Sequence, residues 1–436
     1  MRVLHLIENY LPWQGNGTEI YCHRLCKKLQ VMGVDVLVAF HQASSQQPIG
    51  THEYEGVPIR VLEPIPDSGN RVAKVKRITS NPAGFAELLK EYQPDVLHVH
   101  GFTVKKGLSH IHLAKQAGSK IVLTFHTPSV SCLQTGLRYQ KKEVCDGAIK
   151  EYRCTECKLT AAGLTEFISK GVALGSPPWI SLTSPGKINH VLTARKLTAL
   201  HKDAWFEMLN AVDSLHVLAK WTKEVALLNH APPEKVDLIR TGGPEAVPKP
   251  NREPLASGYL ELVFVGRCAS LKGIHVVVEA VNSLPTTLPV RVTFFGQSWD
   301  ENDYGRNLQK QTQGDERFVV KNSLPNYQLL ETLTSYDACL VPSLWLETGP
   351  LTVLEAFAAG IPVIGSRRGG IAELVQDGVD GLLFEPENSK QLANVIEHLY
   401  EEQDLLPKLT DNVKPPRTAI DVAKETRELY KKLQKL

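Results

Sequence analysis

"YLELVFVGRCASLKGIHVVVEAVNSL", residues 259–284, decides how the chain is read. Residues 259–266 form an apolar, β-branched run of strand length that ends on glycine. A short polar turn with Arg267 and Lys272 follows, and Gly273 opens a stretch of helical spacing. Strand, glycine turn and helix in this order make the unit of a parallel sheet covered by helices. The alternation continues downstream, with strands expected at 290–296, 317–321, 336–343, 361–366 and 381–386. Upstream it predicts strands at 2–7, 35–40, 95–100, 120–126 and 214–219. The helix after the first strand lies within 15–33, with Ile20, Leu25, Cys26, Leu29 and Met32 on its apolar face. Between the two series runs "RTGGPEAVPKPNREPLASG" (240–258), whose Gly, Pro and polar content marks a linker.

The fold class is therefore α/β, with two doubly wound, Rossmann-like domains facing across a cleft. The expected division is 1–245, then 246–417, with an amphipathic helix at 418–436 that could cross back to the first domain. Ligands of such sheets bind beyond the carboxyl ends of the strands.

At 436 residues the chain is long enough for a large buried core. Apolar content of 42% and charged content of 22% fit a soluble globular protein. A net charge of +2 gives no case for a nucleic-acid partner. The basic runs 71–77 and 138–142 read first as solvated faces and second as a weak attraction to an anionic membrane surface. No run approaches about 18 apolar residues, so no membrane span is expected, and "MRVLHLIENY" lacks the features of a signal peptide. The expected location is cytoplasmic, with peripheral contact on the inner membrane face as the second reading.

"ETGPLTVLEA" (347–356) carries the strongest chemical signal. Pro350 suits a helix start and Gly360 with Pro362 a helix end, which predicts a helix over about 350–359. The N–H groups of Leu351 and Thr352, with Gly349 before them, can take an anion. Glu355, inside the helix, can hold a pair of vicinal hydroxyls and gain from the positive end of the dipole. Glu347, on the loop before it, can reach the reacting end of the same ligand. In "GRCASLKG" (266–273) Arg267 offers a planar fork and Lys272 a mobile charge, and both suit a diphosphate. Gly15 and Gly17 in "GNGTE" let backbone approach a phosphate or sugar. His126 ends the strand of "TFHTPS", where it can bond a sugar hydroxyl or move a proton.

In this order, these motifs resemble the retaining GT-B glycosyltransferases, family four. "ETGPLTVLEAFAAGIPVIGSRRGGIAELVQDGVDGLLF" (347–384) is similar to the family's E-x7-E element and its trailing D-G-x-x-G, and "GRCASLKG" to its G-R-x4-K-G element. The glycines after the first strand match as well, although Asn16 separates Gly15 from Gly17 where the family more often has adjacent glycines. The resemblance implies transfer of a sugar from a nucleoside-diphosphate donor to a glycan or lipid-linked acceptor, with retained configuration. It implies that Arg267 and Lys272 bind the diphosphate and Glu355 the ribose. It places Glu347 and His126 at the donor sugar as the catalytic pair. Gly349, Pro350, Leu351 and Thr352 would line the sugar and phosphate, and the base would lie near 321–326. No cofactor is expected for catalysis, and the chain has no D-x-D sequence of the metal-dependent glycosyltransferases. Three other readings stand beside this one: a sugar-nucleotide epimerase, a phosphorylase, and a non-catalytic GT-B partner subunit.

The segment 131–159 departs from the pattern. It packs Cys132, Cys145, Cys154 and Cys157 into what reads as a polar loop, the last two as C-x2-C. A structural zinc is the first expectation. Buried thiols, a redox-labile pair and an iron–sulfur cluster are the rivals. Cys22, Cys26, Cys268 and Cys339 lie in apolar patterns and read as core.

Overall fold

The computed structural model describes the chain except residues 68, 80, 81, 83, 178, 184, 185, 249–256, 297, 298 and 436 and the side chain of Asn326. Part of the expected linker, 249–256, thus lies outside the described residues. Contacts divide the chain into two units, Met1–Arg240 with Ile420–Leu436, and Thr241–Ala419.

In the first unit the strands are β1 (Arg2–Leu6), β2 (Asp35–His41), β3 (Gly50–Tyr54), β4 (Val57–Leu62), β5 (Val96–His100), β6 (Lys120–Phe125), β7 (Arg138–Tyr139), β8 (Glu143–Val144), β9 (Ser214–Val217) and β10 (Val236–Leu238). Eight of them form one sheet in the order β10-β9-β6-β5-β1-β2-β4-β3, parallel except for the β3–β4 pair, while β7 and β8 make a separate hairpin. β1 lies between β2 and β5, so the strand order reverses there.

The helix Gly17–Val31 covers this sheet with Tyr21, Cys22, Leu25, Cys26 and Leu29 buried. Ile20 and Met32, expected on that face, are only half-buried. The inward stripe is turned to take in Tyr21 and Cys22. The helix Ala419–Gln434 adds Val422, Ala423, Leu429, Tyr430 and Leu433 to the same core. The run 71–77 is not wholly a solvated face. Arg71–Lys76 is a helix, but Arg77 is buried and donates to the carbonyls of Phe102 and Ser129.

The second unit holds β11 (Leu260–Val265), β12 (Val290–Gly296), β13 (Phe318–Asn322), β14 (Ala338–Val341), β15 (Val363–Ser366) and β16 (Gly381–Phe384). They form one parallel sheet in the order β13-β12-β11-β14-β15-β16. Counted from β11 this is the 3-2-1-4-5-6 order of dinucleotide folds, and the switch point falls between β11 and β14. Two continuous apolar cores flank the sheet, one built on Leu262, Val277 and Phe294 and the other on Val263, Phe357 and Ile371.

Candidate active site

The loops leaving β11 and β14 emerge side by side at the switch point of the second sheet. After β11 the chain makes a single 3-10 turn, Ser270–Lys272, and then the helix Ile274–Ser283. Gly273 joins them with φ 75°, and a Cβ there would lie 2.0 Å from the Pro342 carbonyl oxygen. Only glycine lets the two loops approach this closely. Leu344 N–H donates to the Leu271 carbonyl at 2.8 Å and ties the loops further.

This junction aims Lys272 at Glu347. Lys272 Nζ donates to Glu347 Oε1 at 2.8 Å, and Ser343 Oγ donates to the same oxygen at 3.0 Å. Backbone bonds hold Glu347 from both sides: its N–H reaches the Trp345 carbonyl at 2.9 Å, and its carbonyl takes Gly370 N–H at 2.7 Å. The side chains of Lys272 and Glu347 are 35% and 17% exposed, so the pair is open enough to exchange partners with a ligand. Arg267, on the same loop, is exposed.

The helix after Glu347 runs Leu351–Ala358, one residue shorter at each end than expected. Pro350 stands at its N-cap with φ −66° instead of in its first turn. A Cβ on Gly349 would lie 2.1 Å from Thr241 Oγ1, which fixes the loop as glycine there too. Leu351 and Thr352 are the first two helical residues, with N–H groups that have no intrahelical acceptor. Glu355 is the fifth helical residue and not part of the first turn, so the dipole contributes less to it than its position in sequence suggested. It is buried, and its charge adds to burial in pushing the Cys339 thiol up. The segment 321–326 begins at the end of β13, while the side chain of Asn326 lies outside the described residues.

The structure places the other predicted residues in the first unit. Gly17 starts its helix, and Gly15 and Gly17 are both exposed. The Asn16 N–H donates to the Glu19 carboxylate at 3.0 Å. The first unit also holds a group that the sequence reading missed. Glu8, just after β1, accepts from Thr103 Oγ1 at 2.7 Å and from Lys106 Nζ at 3.0 Å. Burial opposes ionisation of Glu8, but Lys106, Thr103 and Lys105 outweigh it and hold its carboxyl below the usual range.

His126 follows β6 and is buried. Its Nε2 is bonded to His100 Nδ1 at 2.9 Å, and His100 Nε2 to His5 Nδ1 at 3.0 Å. Burial first, then the charges of His216 and Lys106, push the His126 pKa well below its ordinary value. The imidazole is thus neutral near pH 7, suited to hydrogen bonding and not to carrying a proton as a cation. The signal for this chain lay in "HVH" (98–100), polar rings at alternate positions of a fully buried strand.

The segment 131–159 is not the polar loop expected. It holds the β7–β8 hairpin and the start of the helix Glu151–Ala161, which carries Cys154 and Cys157. Cys132, Cys145, Cys154 and Cys157 all line one cavity. Burial pushes the thiols of Cys145, Cys154 and Cys157 up, that of Cys154 to about 11. The remaining four cysteines are buried, and all eight are free thiols.

Comparison with known proteins agrees with this geometry. Residues 248–415 match the family described as glycosyl transferases group 1, and residues 16–152 match the glycosyl transferase 4-like domain. The chain is 24% identical over 413 residues to the D-inositol 3-phosphate glycosyltransferase of Arthrobacter sp. (strain FB24), covering 92% of this chain and 86% of that one. It is 32% identical over 169 residues to a putative colanic acid biosynthesis glycosyltransferase of Salmonella typhimurium, covering 37% and 40%. Among solved structures, Anabaena HepE in complex with UDP superposes with a TM-score of 0.65 at 14% identity, covering 99% of this chain and 100% of that one. Sucrose-phosphate synthase from Thermosynechococcus elongatus gives 0.66 at 18% identity, with 99% of each covered. The two sheets, the motifs at their strand ends and these matches agree, and the chain belongs to the group 1 glycosyltransferases of GT-B fold.

Proposed function

We propose that the chain moves a hexose from a nucleoside-diphosphate sugar to a glycan or lipid-linked acceptor, with retained configuration, in polysaccharide or glycoconjugate synthesis. The observation that carries this reading is the 2.8 Å contact of Lys272 with Glu347 at the switch point of the second sheet. There a cation suited to a diphosphate stands beside a carboxylate suited to a sugar. Arg267 and the N–H groups of Leu351 and Thr352 add to the charge that Lys272 offers the leaving group. Gly349 and Pro350 line the sugar and phosphate, and Glu355 holds the ribose. Gly15 and Gly17 are assigned to backbone approach to a phosphate or sugar, and His126 to a neutral hydrogen-bonding role toward a sugar hydroxyl. The bond from the anomeric carbon to the diphosphate oxygen breaks as the acceptor oxygen attacks the same face. The acceptor proton passes to the leaving phosphate oxygen. The positive groups named supply the charge stabilisation, so the scheme calls on no cofactor.

HepE is also known in complex with UDP-glucose, which supports a nucleotide-sugar donor here. The comparisons lend nothing to an epimerase, a phosphorylase or a non-catalytic subunit. In a thermal-shift screen, one nucleoside diphosphate and its sugars should raise the melting temperature, because a ligand of the native state stabilises it. Nuclear magnetic resonance of the product should then show the donor's anomeric configuration. A screen without any such shift would remove the donor class, and an inverted product would remove retention.

The same reading places the enzyme in the cytoplasm, in peripheral contact with the membrane. Eight free thiols fit a reducing compartment. Among the described residues no helix is long and apolar enough to cross a membrane. Phe167, Leu174, Trp179 and Ile188 are 88%, 71%, 82% and 77% exposed, with Lys170 and Lys187 exposed nearby. Apolar side chains beside lysines suit an anionic bilayer surface. Sedimentation with phosphatidylglycerol vesicles should fall several-fold in Phe167→Ser/Trp179→Ser. Equal sedimentation of parent and variant would count against this contact.

A further inference from the structure

The hairpin of the 131–159 segment is poorly supported by its own residues. β7 and β8 have two residues each, far short of a hairpin that holds itself together. Thr135, Leu137, Gln140 and Lys141 all have positive φ, four of the nine such non-glycine residues among those described. Each such conformation costs about 1–3 kcal/mol and persists only where the surroundings over-determine it. Of the hairpin's apolar residues, Leu137 is buried but Val144 is 49% exposed. Something other than apolar burial must hold this element in place.

The cysteines are placed to do so. Cys154 and Cys157 are one turn apart on the helix Glu151–Ala161 and share a face. Cys145 N–H donates to the Leu137 carbonyl at 2.8 Å, extending the hairpin so that Cys145 comes opposite Leu137. Cys132 N–H donates to the Pro128 carbonyl at 2.8 Å, which anchors the fourth thiol to the turn after β6. Gln140 N–H, from the hairpin turn, donates to Cys157 Sγ at 3.1 Å. A backbone N–H aimed at sulfur is the outer-shell bond that a metal-bound thiolate takes. All four thiols border one cavity, which Arg138 and Arg153 also line.

We propose that Cys132, Cys145, Cys154 and Cys157 bind one zinc ion, which fastens the β7–β8 hairpin to the helix Glu151–Ala161. Four thiols give up four protons and become the four ligands of a closed, tetrahedral, structural site. The site then carries a net charge of −2, which Arg138 and Arg153 face. With no open position the ion takes no part in sugar transfer, and the inference does not depend on the proposed donor or acceptor. Among the described residues His5, Cys22 and His100, all buried, have ligand atoms within 4.8 Å of one another and form a rival locus for a metal, whereas no three of the four thiols approach that closely, so zinc must draw them together across the cavity. There His100 is already hydrogen-bonded to both His5 and Cys22.

The test is metal analysis of the full chain, made in medium containing both zinc and iron and purified without chelator. One zinc per chain and no stoichiometric iron is the expected result. Cys154→Ser/Cys157→Ser should lose at least four-fifths of the zinc, while Cys22→Ser keeps it. Should the double variant fail to fold, zinc-edge X-ray absorption of the parent decides: four sulfur ligands at about 2.3 Å support the site. Sulfur and nitrogen ligands together would overturn it in favour of the histidine locus. It would also be overturned by absence of zinc, by iron with acid-labile sulfide, or by disulfides among these four cysteines.

Discussion

Lys272→Ala is expected to lower kcat/KM for the donor by about 10²–10³-fold, the cost of removing one group that meets charge developing on a leaving group. Its melting temperature should move by no more than a few degrees. The two effects separate because the Lys272–Glu347 pair is partly exposed, 35% and 17%, and such a pair adds about 0–1 kcal/mol to folding. Ser343 stays on Glu347 when the lysine is gone, so the carboxylate keeps a donor. On the proposed reading the leaving group keeps Arg267 and the N–H groups of Leu351 and Thr352 but loses the charge that Lys272 supplies. Lys272→Arg should recover part of the loss, since the charge returns on a wider and more rigid head. Glu355→Gln keeps shape and removes charge, and should weaken nucleotide binding about tenfold. Donor hydrolysis and calorimetric nucleotide binding measure both. Lys272→Ala activity within threefold of the parent would take the diphosphate away from this site.

Lowering the pH from 7 to 5.5 should destabilise the first unit by on the order of 5 kcal/mol, a large part of the stability of an ordinary domain. The cause is a set of buried, neutral histidines. Burial, aided by neighbouring rings, holds His98, His100 and His126 well below the usual pKa. His110 and His201 are both lowered to about 3, by burial first and then by His41 and Arg77 respectively. Released on unfolding, each returns to about 6.5 and takes up a proton below that pH, so falling pH favours the unfolded chain. The stability is present above about pH 6.5 and is lost progressively below it, at about 1 kcal/mol per histidine by pH 5.5. The groups facing the chain do not rescue it. Tyr430 and Thr124 on His98 and Cys22 on His100 are neutral partners, and Lys106 disfavours a second positive charge at His126. Cys26, whose thiol Cys22 and His5 bring down to about 5 against burial, acts on His5, which is not among the five. Calorimetry across this pH range should show the first unit's transition falling steeply. A melting temperature unchanged between pH 7 and 5.5 would mean that these rings are not held neutral.

Much of the second unit was legible in its residues. The strand expected at 290–296 is observed over those same residues, and the one at 259–266 appears as Leu260–Val265. Fully buried parallel strands leave continuous β-branched runs that few other structures produce. The first unit was harder. β3 and β4 escaped notice because one face of that edge pair is exposed, and the turn between them, Glu55–Gly56, has positive φ at both residues. The helices from 151 to 211 were hidden behind a cysteine-rich segment that reads as loop.

The sequence by itself determined the two α/β series, because periodicity and glycine placement act locally along the chain. It also named Lys272 and Glu347, which are 75 residues apart. Only the tertiary structure decided that they touch, that His126 is tied into a chain of rings, and that four scattered cysteines border one cavity. Those facts depend on which strands lie side by side. Strand order follows from burial of whole faces, and no short stretch of sequence contains it.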